Sequence, residues 1–160
     1  MRFRLAVLVA VTSVLTVVSP AAAGPRNVLV HTANGDMSFV QHELYDLSLR
    51  NFLASIPTGD RWYDWSNDGC SAPLIGDTGV SFNFRNPCVR HDFGYRNLKL
   101  MERRWGRGNT YWNATNRRRV DQQFLADMKA HCRTRSILLQ PGCFGWAETY
   151  YAAVRVAGGP

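Results

Sequence analysis

Pro87-Cys88-Val89-Arg90-His91-Asp92-Phe93-Gly94-Tyr95 is the stretch around which the chain is organised. Pro87 suits the first turn of a helix, where its missing N–H costs nothing, and Asn86 before it is a candidate N-cap. Cys88, His91, Tyr95 and Leu98 recur at +3, +4 and +3 and so share one helical stripe. His91 can take up a proton near neutral pH, and Asp92 offers oxygen to a hard cation. Helical neighbours point about 100° apart, so the two side chains serve adjacent parts of one site instead of neutralising each other. This helix is expected to run to about Trp105, before Gly106 and Gly108.

The next helix is expected from about Ala114 to about Arg133. Asp121, Leu125, Met128 and Cys132 recur there at +4, +3 and +4, which puts an acid on an apolar stripe. A buried carboxylate needs a partner. The alternative is a surface acid at the edge of the stripe, bonded to Arg117 or Arg118, and the pattern leaves both open. If the two helices pack antiparallel, His91 faces Asp121, and a carboxylate on one imidazole nitrogen steadies the charge gained at the other. Asp92 then points aside, where the loop carboxylate Asp68 can join it around Ca²⁺.

Elsewhere, Tyr45, Leu49, Phe52 and Ile56 mark a helix from about Ser38 to Ile56, stopped by Pro57 and Gly59. Residues 24–37 read as an irregular arm. A short helix is expected within Arg61–Asn67, a strand-like piece at Ser81–Phe84 and a final helix from Phe144 to Val156. The class is therefore mainly α: a small disulfide-bonded helical domain with two antiparallel core helices carrying the His/Asp dyad.

Arg2 and Arg4, an apolar run from Leu5 to Val18, and Ala21-Ala22-Ala23 read as a secretory signal peptide over residues 1–23. That leaves one domain, 24–160. Removing Arg2 and Arg4 takes the formal net charge from +7 to +5, which favours anionic partners such as a membrane surface, nucleic acid or an acidic polymer. The four cysteines of an exported chain imply two disulfides. Of three pairings, Cys70–Cys88 and Cys132–Cys143 are favoured because both close short loops. No CxxC pair supports zinc.

Asp68-Gly69-Cys70, Cys88 to Asn97, Arg119-Val120-Asp121 and Phe124 to Cys132 together resemble the secreted phospholipases A2 of bacteria and fungi, over about Trp62 to Val154. The resemblance implies a Ca²⁺-dependent hydrolase of the sn-2 ester of glycerophospholipids. His91 resembles the catalytic base and Asp121 the acid that orients it. Asp68 and Asp92 resemble carboxylate ligands of calcium, Gly69 a main-chain carbonyl ligand, and Tyr95 a tyrosine bonded to the orienting acid. The four cysteines fit the family's two local bridges. The expected partner is phospholipid at a membrane or micelle surface, with no nucleic acid, and the protein is expected to be an extracellular monomer. The animal branch matches less well, because its glycine-rich calcium loop is missing. A rival reading is a non-catalytic, calcium-dependent membrane-binding or toxin-like protein of the same fold; intact His91, Asp92 and Asp121 argue against it. A second rival, a secreted ribonuclease, finds no comparable context for His31, His42 or His131.

Overall fold

The computed structural model describes residues 30–70, 78–79 and 82–158. The proposed leader over residues 1–23 lies outside them. Contacts divide the chain into Met1–Val30 and His31–Pro160, and the second unit holds the described fold apart from Val30.

Helix α1 spans Ala33–Gln41 and begins where Thr32 accepts a hydrogen bond from the Gly35 N–H at 3.0 Å. It therefore starts inside the stretch 24–37 that the sequence suggested was irregular. A wide π-helical turn, His42–Asp46, follows, and Leu47 turns extended. Ser48 then caps a separate α2, Leu49–Ser55, by accepting from Asn51 N–H at 3.2 Å. The single helix expected over 38–56 is thus broken. The break is fixed from a distance: Arg90 Nη1 donates to the Leu47 carbonyl at 2.7 Å. Residues 61–67 form turns and irregular chain instead of a short helix. A two-residue ladder pairs β1 (Thr78–Gly79) with β2 (Phe82–Asn83).

Helix α3 spans Arg85–Trp105, starting two residues before Pro87, with Phe84 rather than Asn86 at the cap position. Arg103 and Arg104 sit in its last turn, where cations suit the helix dipole. Glu102 holds the following loop by accepting from the N–H groups of Gly108, Tyr111 and Trp112. Asn113 caps α4, Ala114–Arg133, by accepting from Asn116 N–H at 2.9 Å. The last helix, α5, spans Gln140–Ala157 and begins four residues before the expected Phe144.

Partners descend on α4 as they ascend on α3: Arg90 meets Asp127, His91 meets Asp121, and Tyr95 meets Arg117. The two helices are therefore antiparallel. Gly94 permits their close approach, since a Cβ there would lie 2.7 Å from Val120 Cγ1 and 3.0 Å from Leu44 Cδ2. Two apolar clusters flank this pair. One joins Val40, Leu44 and Phe52 to Phe93, Leu98 and Val120. The other joins Phe84, Phe124, Met128 and Tyr150 to both disulfides, Cys70–Cys88 and Cys132–Cys143. In the chain-entropy account each bridge stabilises by roughly 3 kcal/mol.

Candidate active site

The site is built on the second to fourth turns of α3, the facing half of α4 and the end of α5. Asp121 is fully buried, so the surface-acid alternative does not hold. His91 Nε2 lies 2.9 Å from Asp121 Oδ1, and Tyr95 donates its hydroxyl to the same oxygen at 2.7 Å. Arg155, reaching back from α5, donates from Nη1 to Oδ2 at 2.6 Å. Arg117 Nε stands 3.8 Å from Oδ2 and donates to the Tyr95 hydroxyl at 3.1 Å. Its Nη2 also donates to the Val154 carbonyl at 3.0 Å, which docks the end of α5 on the pair.

Burial alone would raise the Asp121 carboxyl, but His91, Arg155 and Tyr95 outweigh it and hold it below the usual carboxylate value. It therefore stays ionised at neutral pH. The Tyr95 hydroxyl is driven upward, first by burial and then by its bond to Asp121, so it remains a donor. The His91 ring is sandwiched between Tyr95 at 4.3 Å and Phe124 at 4.8 Å. Imidazole position is thus set by packing on two sides and by a carboxylate at Nε2, which leaves Nδ1 as the nitrogen turned from Asp121.

Asp92 faces the loop before Cys70. Its Oδ2 accepts from the Asp68 N–H at 3.0 Å. Burial, then a side-chain hydrogen bond with Asp68, pushes its carboxyl up to about 7, against the opposing pull of that backbone N–H. Arg96 Nη2 lies 3.3 Å from Asp68 Oδ1. Asn97 fixes the same loop: it accepts from Asp64 N–H at 2.9 Å and donates to the Asp64 carbonyl at 2.8 Å. Gly69, with φ of 68°, takes the left-handed conformation that favours glycine. No group of three or more His, Cys, Asp or Glu side chains is arranged to hold a metal among the described residues. Two carboxylates beside a left-handed glycine are what the structure offers. Carboxylate and main-chain oxygens are the donors that a hard cation takes.

The sequence reading missed Arg155 and the buried Arg90–Asp127 pair. Arg90 Nε donates to Asp127 Oδ2 at 2.8 Å, with a second contact between Nη2 and Oδ1. Asp127 lies between the stripe residues Leu125 and Met128 and carried no periodic signal of its own. Arg155 sits two residues before the end of α5, and no local pattern ties it to Asp121.

The model of the prokaryotic phospholipase A2 family matches residues 40–158. A secretory phospholipase A2 of Beauveria bassiana (strain ARSEF 2860) is 38% identical over 96 residues, covering 60% of this chain and 44% of that protein. One from Arthroderma benhamiae (strain ATCC MYA-4681 / CBS 112371) is 35% identical over 98 residues, covering 59% of this chain and 60% of that protein. The match thus spans about half the length of these relatives. The family match takes in α3, α4 and α5 and every residue around Asp121 described above, and the chain belongs to the prokaryotic phospholipase A2 family.

Proposed function

We propose that this chain is a secreted, calcium-dependent phospholipase A2 that releases a fatty acid and a lysophospholipid by hydrolysing the sn-2 ester. The observation that carries the proposal is the buried His91–Asp121 pair at 2.9 Å. In it, His91 Nδ1 takes a proton from a water, which attacks the sn-2 carbonyl carbon. Asp121 keeps Nε2 protonated and steadies the imidazolium, as Arg155 and Tyr95 keep the carboxylate ionised and oriented. The C–O bond to the glycerol oxygen then breaks, and His91 returns its proton to that oxygen. No covalent link to the protein forms.

Asp68 and Asp92 would hold calcium through their carboxylates and Gly69 through its main-chain carbonyl. When bound, the ion supplies positive charge for the ester carbonyl and the lipid phosphate. Export is part of this proposal and is supported by the leader-like residues 1–23 and by both disulfides.

Fatty-acid release from phosphatidylcholine vesicles, with and without EDTA, tests the proposal. Release in calcium that EDTA abolishes is expected. No release in calcium would favour a non-catalytic lipid-binding protein; release indifferent to EDTA would remove the calcium role.

A further inference from the structure

The tryptophans are not where this molecule exposes its apolar surface. Trp62, Trp65 and Trp112 pack against the first apolar cluster, and Trp146 against the second. Trp62 and Trp105 donate their indole N–H groups to buried Asp36 at 2.7 and 3.0 Å. Among the described residues Val30 and Val156 are exposed singly, whereas three exposed large apolar side chains are consecutive: Ile137, Leu138 and Leu139 are 80%, 89% and 52% exposed. One such residue is ordinary, whereas three in succession form one apolar patch.

We propose that Ile137-Leu138-Leu139 is an apolar tip that inserts into an anionic lipid surface. Lipid as the partner rests on the phospholipid reading above, whereas insertion itself requires no turnover. The tip is preformed. It lies within the segment closed by Cys132–Cys143. Leu139 N–H donates to the Ser136 carbonyl at 2.9 Å, and Cys143 N–H to the Leu139 carbonyl at 3.0 Å. Gln140 Nε2 donates to the Arg135 carbonyl at 3.0 Å. These bonds hold the turn while its side chains face solvent, so little ordering remains to be done on insertion.

Charge favours the same partner. No Asp or Glu occurs between Asp127 and Glu148, while Arg133 and Arg135 precede the tip; Lys129 is instead paired with Glu148 at 2.6 Å. Arg133 is exposed. A cation near an anionic bilayer adds to apolar insertion. Three residues bury far less than the roughly 800 Å² per partner of a stable protein interface, which argues against a second protein. The position is also apt. Cys132 and Cys143 share a buried cluster with Cys70 and Cys88, so the tip projects from the end of the fold that carries the Asp68–Gly69 loop and the start of α3.

Sedimentation with hydrolysis-resistant diether vesicles tests this, using phosphatidylglycerol in one arm and phosphatidylcholine in the other. The double variant I137N/L138N should bind phosphatidylglycerol vesicles roughly 10- to 100-fold more weakly than wild type. Its hydrolysis of a short-chain phosphatidylcholine below the micelle concentration should stay within about two-fold of wild type. A second variant, Leu138→Trp, should give a blue-shifted emission on the same vesicles. Equal binding by wild type and I137N/L138N, or no shift for Leu138→Trp, would overturn the proposal. So would a wild-type dimer that I137N/L138N converts to monomer, because the tip would then be covered by a second copy. Wild type that binds these vesicles through the tip yet hydrolyses no lipid would sink the enzyme reading and leave the tip standing.

Discussion

Within Cys88 to Asn97 nearly every polar side chain has a partner, and His91 and Tyr95 share one. Cys88 bridges to Cys70, Arg90 pairs with Asp127, His91 and Tyr95 meet Asp121, Asp92 meets Asp68, and Asn97 holds Asp64. The run therefore points an imidazole to one side of α3 and a carboxylate to another. Asp92→Asn should lower phospholipid hydrolysis by about 10²–10³-fold and weaken calcium binding in calorimetry, because an electrostatic stabiliser of the developing charge is lost. Wild-type turnover in that variant would contradict the assignment. Arg155→Met leaves Asp121 Oδ2 without its 2.6 Å donor in a buried place. It should cost about 1–3 kcal/mol in urea unfolding. Arg155→Lys, which keeps the charge, should lose less.

At the scale of elements, the approach of α3 to α4 decides whether His91 reaches Asp121, and Gly94 governs that approach. Gly94→Ala has to displace Val120 and Leu44, so it should destabilise by about 1–3 kcal/mol and reduce activity in step with any shift of α3. Urea unfolding with activity on the same samples checks both. The end of α4 was legible because the apolar stripe continues to Cys132, and its expected start near Ala114 coincides with the Asn113 cap that the structure shows. The end of α3 was legible from Gly106. The break at Leu47-Ser48 was not, because an arginine some forty residues away holds the Leu47 carbonyl, and local periodicity is blind to that. The same limit hid Arg155: its link to Asp121 exists only after α5 folds back across α4. The pairing of His91 with Asp121 was visible because both lie on apolar stripes, whose only shared neighbour is the helix interface.

For the whole molecule, α1 is tied to distant parts of the described fold through one buried carboxylate. Asp36 accepts from His31, Trp62, Tyr63 and Trp105, joining residues far apart in the chain. Burial pushes this carboxyl upward, but the four donors prevail and hold it below its ordinary value. A depressed folded-state value means that its stabilisation is present above the unfolded carboxylate value, near 4, and is lost as pH falls through the lower folded one. Asp36→Asn should therefore reduce stability at neutral pH by about 1–3 kcal/mol and flatten the loss of stability expected of wild type below about pH 4. Thermal unfolding across that range checks the sign. The central claim is that the His91–Asp121 pair activates water against the sn-2 ester. Its most direct test is phosphatidylcholine labelled in the sn-2 chain, given in calcium to wild type and to His91→Asn. The account predicts labelled fatty acid from wild type and a loss of at least about 10²-fold in the variant. Label retained in the lysophospholipid, or equal release by both proteins, would contradict it.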